Sequence, residues 1–211
     1  MDSMRYAIAD IIALHKKYAP SDEIYGLVLT HSQIIYDIAL QLIEKEAFPI
    51  NRELVQTGAL LHDIGAYPLF GSNSKLREGI SYVSHGIEGE KILKREGFPE
   101  AIWRFAAHHT GVGLSKQDII IQKLPLPIED YLAESDEELL IMYADKFHSK
   151  TTPPYINSFE WCREDLAQYG EDKVIKFDNM AVKFGIPSLK PLSSKYSYTI
   201  RDLPLVSSSK Q

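Results

Sequence analysis

A chain of 211 residues, 45% hydrophobic and 25% charged, has the composition of an ordinary globular protein, with room for one compact domain or two small ones. Its net charge of −6 and pI near 5.7 argue against a broad nucleic-acid-binding surface, though such a protein can still bind a phosphorylated small molecule where a metal supplies local positive charge. The single cysteine, Cys162, excludes an internal disulfide, fits a reducing compartment and reads as a small buried apolar residue. Charges scattered through residues 1–18 break up any signal-peptide core, and no uninterrupted apolar run reaches membrane-spanning length, so the expected location is the cytoplasm.

Nearly every segment reads as helix. Apolar side chains at three- and four-residue spacing predict helices over residues 4–18 and 24–44. On the second, Leu27, His31, Ile34, Ile35, Ile38 and Leu42 share a face, so His31 points inward among aliphatic side chains. Phe48-Pro49 breaks that helix, and Asn51 caps the next, over residues 52–64, which is expected to stop at Gly65. Val55, Gly58, Ala59 and His62 share a face of it, with Asp63 one step around. Residues 66–83, with Gly71-Ser72-Asn73-Ser74 and Gly79, read as a loop long enough to be functional.

Ser84 is expected to cap a helix that carries His85 in its first turn and ends at Gly97. Pro99 opens another over residues 100–109, where Ile102, Phe105, Ala106 and His109 share the apolar face and His108 lines up with Arg104. A turn at residues 110–113 and an extended surface excursion around residues 124–127 follow. Ser135 and Glu138, at capping-box spacing, start a helix that carries Leu139, Ile141, Met142 and Asp145. Two amphipathic helices over residues 158–169 and 171–184 are closed by Gly170 and Gly185, and their apolar faces are expected to pack within the monomer; the chain does not itself fix an oligomeric state. From Pro187 the tail reads as irregular, its last residues disordered. No internal repeat or heptad array is visible. The expected fold is all-α: residues 1–150 as one helical bundle, 151–186 as a helical extension packed on it, and 187–211 as a tail.

Imidazole nitrogen and carboxylate oxygen suit divalent transition metals. His31, His62, Asp63, His85, His108 or His109, and Asp145 each fall near a helix end or on an inward face, as ligands in the core of a helical bundle do. Adjacent His62 and Asp63 diverge by about 100° on a helix, yet both can reach one ion, or two neighbouring ions, where the terminal turn opens. Singly, each has an ordinary role: a histidine on an apolar face is commonly a hydrogen-bonded core residue, and His15 has nothing to mark it as a ligand. Together, so many polar groups are costly to bury without a cation.

The pattern of His31, His62-Asp63 and Asp145 within Tyr143-Ala144-Asp145-Lys146 resembles the H…HD…D signature of the HD-domain metal-dependent phosphohydrolases. His62-Asp63-Ile64-Gly65 is similar to the subgroup called HDIG, and the likeness continues through His85-Gly86-Ile87-Glu88-Gly89 and His109-Thr110-Gly111-Val112-Gly113. It covers about residues 24–150 and nothing after Thr151. The resemblance implies that His31, His62, Asp63 and Asp145 hold the principal divalent metal. It further implies that His85 and His109, with His108 as the rival of His109, hold a second one bridged by Asp63. One or two ions are implied, and Fe, Mn, Zn, Ni, Co and Mg are not distinguished.

The implied reaction is hydrolysis of a phosphoester of a nucleotide or other small phosphorylated metabolite by a metal-activated water. Relatives with two metals include phosphodiesterases and the bacterial symmetrical diadenosine tetraphosphate hydrolases. In this reading Asp63 also accepts the water's proton and Lys146 stabilises charge on the phosphoryl oxygens. Lys75 and Arg77 in the long loop, with His108 and His148, are the candidate substrate contacts. The same ligand array resembles the di-iron inositol and phosphonate oxygenases, and a non-catalytic nucleotide-binding module is the third reading. No basic stripe with interleaved aromatics marks a large nucleic acid as partner, and no membrane partner is expected.

Overall fold

Ten α-helices and a small three-stranded sheet make up the computed structural model, which describes residues 6–45 and 49–203. The predicted helix start at Met4, Phe48 of the predicted break and the end of the predicted disordered tail lie outside the described residues. Helices α1 (Ile8–Tyr18) and α2 (Asp22–Lys45) form where the three- and four-residue apolar spacing placed them. The inward face of α2 carries Ile24, Val28, His31, Ile34, Ile35, Ile38 and Leu42, all buried. By length and composition α2 is apolar enough to cross a membrane, although Asp37 interrupts its apolar run; half of it is buried in the core, and Asp37 pairs with Lys195.

The Asn51 side chain caps α3 (Arg52–Leu61), accepting from the backbone amides of Glu53 and Leu54 at 3.1 Å each. The helix does not run on to a stop at Gly65. It ends at Leu61, and the chain tightens into a 3₁₀ helix, Ile64–Leu69, that takes the first residues of the predicted loop, whose residues 70–81 remain irregular. Burial explains the change: Ala66, Tyr67 and Leu69 are apolar and enclosed, so this stretch folds onto the core. Gly65 serves close approach. A Cβ there would lie 2.0 Å from the His85 carbonyl oxygen and 2.1 Å from the Gly89 amide nitrogen.

A second 3₁₀ turn, Tyr82–Ser84, leads directly into α4 (His85–Arg95), so Ser84 is not the expected cap; its hydroxyl donates to the Ser81 carbonyl instead. Next come α5 (Glu100–His108), the short α6 (Lys116–Ile121), which no helical pattern in the sequence marked, and α7 (Asp136–Asp145). Ser115 and Asp118 close a full capping box on α6. On α7 only half the box forms. The Ser135 hydroxyl accepts from the Glu138 amide, but the Glu138 carboxylate turns to Arg104, 2.9 Å from its Nε.

Strands β1 (His148–Ser149) and β2 (Tyr155–Asn157) pair antiparallel. Helices α8 (Phe159–Ala167) and α9 (Glu171–Phe184) follow, and Cys162, Leu166, Phe177 and Phe184 are buried in the same apolar core as α2 and α7. The tail is not irregular. It forms α10 (Leu189–Tyr196) and β3 (Thr199–Arg201), which runs parallel to β2 in the order β1-β2-β3. Leu192, buried in the core, and Tyr196, which donates to Asp37 at 2.6 Å, hold it down together with Lys195.

His15 is an enclosed core histidine. Its Nε2 donates to the Leu60 carbonyl and its Nδ1 lies 2.7 Å from the Tyr67 hydroxyl, so the neutral ring is fully partnered. Burial lowers its pKa from 6.5 to about 4. The unfolded chain takes up a proton near pH 6.5 that the folded chain refuses until about pH 4. The stability His15 contributes is therefore complete above pH 6.5 and lost as the pH falls to 4, about 3 kcal/mol over that window. Urea denaturation at about pH 7.5, above that window, and at about pH 4.5, near its lower end, is expected to show a larger loss for the wild type than for His15→Gln; equal losses would contradict this reading.

Candidate metal centre

Six imidazole and carboxylate side chains meet where five helices end or cross. His31 comes from the middle of α2, His62 from the C-cap of α3 with Asp63 next to it, His85 from the first residue of α4, His109 from the C-cap of α5, and Asp145 from the last residue of α7. All but Asp145 are buried, and its side chain is 13% exposed.

One local device repeats. Each of three histidines donates from Nδ1 to the carbonyl three residues before it: His62 to Ala59 at 2.7 Å, His85 to Tyr82 at 2.7 Å, and His109 to Ala106 at 2.8 Å. A carbonyl only accepts, so Nδ1 carries the proton and Nε2 is left with a lone pair. These lone pairs converge. His85 Nε2 lies 2.9 Å from His109 Nε2, and His62 Nε2 lies 3.1 Å from His31 Nε2. Between His85 and His109, where both protons are committed to carbonyls, the two nitrogens repel unless a cation sits between them.

Asp63 stands between the two histidine pairs. Its Oδ1 is 3.5 Å from His85 Nε2 and 3.8 Å from His109 Nε2, while Oδ2 is 3.8 Å from His31 Nε2. Oδ1 has no hydrogen-bond donor among the described residues, and Oδ2 lies 2.6 Å from Lys150 Nζ. Asp145 Oδ1 completes the His31–His62 side at 3.0 and 3.6 Å. Two groups of donors thus share one carboxylate: His31, His62 and Asp63, and Asp63, His85 and His109. Metal–nitrogen bonds of about 2.1 Å place neighbouring ligand atoms roughly 3 Å apart, which is the spacing of these nitrogens. The donor set, imidazole and carboxylate without thiolate, fits a divalent transition metal.

The electrostatics point the same way. Burial pushes the His31 imidazole down to about 4, and Lys150 adds to the shift. Burial, then the neighbouring His62 and His85, holds His109 well below its ordinary value. Burial alone would raise the Asp63 carboxyl, but Lys150, His85 and His31 together bring it well below the carboxylate range. Asp145 is likewise lowered against burial, first by the charge of Lys146 and then by the imidazoles and Lys150 around it. Neutral imidazoles around ionised carboxylates are the protonation states in which these groups ligate.

A cleft of about 530 Å³ opens on this cluster beside Asp145. Lys146 and His148 line it, as their positions just after Asp145 led us to expect. His148 also does something else: its Nδ1 lies 2.8 Å from His31 Nδ1, so it orients that imidazole. The structure does not bring the other expected substrate contacts together with the donors. Lys75 and Arg77 do not line the cleft, and the Arg77 Nε donates to the Phe70 carbonyl. His108 turns away from His109, and its Nδ1 donates to the Leu132 carbonyl at 2.9 Å. In their place stand Lys150, Tyr82, Trp161 and Arg201, none of which the sequence singled out. Lys150 follows a helix end, where no periodicity carries across, and Arg201 lies in the segment expected to be tail.

The HD domain profile matches residues 28–150. A tRNA (cytidine(56)-2'-O)-methyltransferase of Picrophilus torridus is 33% identical over 129 residues, 61% of this chain and 33% of that protein. An uncharacterised protein of Methanocaldococcus jannaschii is 34% identical over 125 residues, 59% of this chain and 66% of that protein. The chain therefore spans about a third of the first relative and less than two thirds of the second. Among solved structures, the HD domain of the L. monocytogenes phosphodiesterase PgpH in complex with cyclic-di-AMP is 17% identical, with a TM-score of 0.46, covering 92% of this chain and 88% of that one.

Proposed function

We propose that this chain, which belongs to the HD domain family, is a metal-dependent phosphohydrolase that cleaves a phosphoester of a nucleotide or another small phosphorylated metabolite. The observation that carries this reading is the placement of Asp63, one oxygen toward His31 and the other toward His85 and His109. His31, His62, Asp63 and Asp145 would hold one divalent ion, and Asp63, His85 and His109 a second. A pair of ions so placed supplies a water of lowered pKa and a clamp on the phosphoryl oxygens.

The chain's own groups do the rest. Asp63, held ionised, is assigned the water's proton. Lys146, 3.0 Å from Asp145, and Lys150, 2.6 Å from Asp63, stand at the mouth of the cleft and stabilise negative charge growing on the equatorial oxygens. His148 holds the His31 ring in register through its Nδ1.

The test is an assay of the full chain loaded separately with Mn²⁺, Fe²⁺, Zn²⁺, Co²⁺, Ni²⁺ and Mg²⁺. The substrates are a panel of mono-, di- and cyclic nucleotides and bis(p-nitrophenyl) phosphate. Release of phosphate, nucleoside, a ring-opened nucleotide or p-nitrophenol that a chelator stops and added metal restores is expected for at least one substrate. Oxygen uptake by the iron-loaded protein with no hydrolysis of any substrate would replace this reading with an oxygenase.

A further inference from the structure

We infer that Arg201 selects substrates that carry a second oxyanion, phosphate or carboxylate, away from the phosphoester being cut. The inference rests on the phosphohydrolase reading for its substrate and on separate observations for its residue. The profile match ends at residue 150, yet the cleft beside the donor cluster is completed by residues beyond it, Asn157, Trp161, Asp165 and Arg201. Strand β3 brings Arg201 there by pairing with β2, with Arg201 in register with Asn157.

The guanidinium is fixed in place on two sides. Its central carbon sits 3.6 Å from the centre of the Trp161 ring. Its Nε and Nη2 both donate to Asn157 Oδ1, at 3.1 and 2.9 Å. Asn157 in turn donates from Nδ2 to the Lys146 carbonyl at 2.8 Å, so one side chain ties the guanidinium to the residue after Asp145. All of these partners are neutral. Among the described residues Arg201 forms no ion pair, and its Nη1 has no hydrogen-bond partner, although the Asp165 carboxylate lines the same cleft. A half-buried, pre-oriented guanidinium without a counter-ion is suited to an oxyanion brought by a ligand. Lys146 and Lys150 line the same cleft, each paired with a donor carboxylate, which leaves Arg201 as its cation without an acidic partner among the described residues.

The test measures binding. The Mn²⁺-loaded full chain is titrated calorimetrically with methylphosphonate, with α,ω-alkylenediphosphonates of one to six methylenes, and with ω-carboxyalkylphosphonates of the same lengths. At least one two-anion spacing is expected to bind about 30-fold tighter than methylphosphonate, the scale of one good charge-assisted contact. Arg201→Gln is expected to cut that ratio about tenfold or more, and Arg201→Lys to cut it less, with metal content unchanged. Carboxylates that match the diphosphonates would mark a general oxyanion site, and weaker ones a phosphate site.

If Arg201→Gln does not fold, phenylglyoxal modification of Arg201 in the wild type, mapped by mass spectrometry, reports the same contact. The best diphosphonate should protect it and methylphosphonate should not. No preferred spacing, a ratio unchanged in Arg201→Gln, or equal protection by both probes would overturn the inference. A protein that cleaves phosphoesters without such a preference would lose only this inference. One that shows the preference but cleaves nothing would lose the phosphohydrolase reading and keep the oxyanion site.

Discussion

Replacing Asp63 with asparagine is expected to strip both metal positions at once and to lower kcat/KM by about 10³-fold or more, the scale at which removing a preorganised electrostatic group acts. The carboxylate is fully buried and offers one oxygen to each histidine group, so it is the one side chain whose loss both sites feel. An amide keeps the shape but turns one of those oxygens into an N–H donor aimed at a cation, and it removes the charge that faces Lys150. Metal analysis of the variant should find neither ion retained after dialysis. His108→Ala is the control: the side chain bonds to the Leu132 carbonyl, outside the cluster, so metal content and turnover should stay within a few-fold of wild type. An asparagine variant that kept two ions and full activity would remove Asp63 from the site.

The second large effect belongs to Gly65→Ala. Its new methyl group would meet backbone on three sides: the His85 carbonyl oxygen at 2.0 Å, the Gly89 amide at 2.1 Å and the Gly89 Cα at 2.6 Å. Backbone cannot rotate out of the way, so α4 must move as a body, and it carries His85. The expected cost is about 4 kcal/mol or more, beyond the usual range for overpacking. Whatever protein folds is expected to lose the position made by His85 and His109 before the one made by His31 and Asp145. Gly26→Ala is the matched comparison. It lies inside α2 with nothing within 4 Å of the added carbon, so the same chemical change should be neutral or stabilise by up to about 1 kcal/mol. Thermal melts of the two variants side by side decide the matter; similar melting temperatures would show that the α4 contact has slack.

Much of this is legible in the residues because helices write their buried face into the sequence. The spacing of Leu27, His31, Ile34, Ile35, Ile38 and Leu42 on α2 is enough to turn one ligand inward, and Pro99 and Asn51 mark where α5 and α3 begin. The six donors are likewise visible as residue types near helix ends, and His109 stands out from His108 because it shares a face with Ile102 and Phe105.

What the sequence does not disclose is what depends on tertiary contact. Nothing local in residues 66–83 announces that Ala66, Tyr67 and Leu69 will be pulled into a 3₁₀ helix by the core they cover. Ser84 has the right chemistry for a cap, but the 3₁₀ turn ahead of it uses the hydroxyl for Ser81. The serine- and proline-rich stretch after Pro187 reads as tail by composition, while Leu192 and the pairing of β3 with β2 tie it down from a distance. Lys75 and Arg77 drew attention because a long loop is a common place for substrate contacts. The cations that line the cleft, Lys150 and Arg201, come instead from either side of a small sheet whose pairing no short-range pattern encodes.

The most direct test of the shared-carboxylate centre is anomalous scattering from a crystal of the metal-loaded protein, collected on both sides of the metal's absorption edge. Two peaks are expected with Asp63 between them, one touching His31, His62 and Asp145 and the other touching His85 and His109. Peaks confined to surface histidines, or no bound metal at all after loading, would contradict the account.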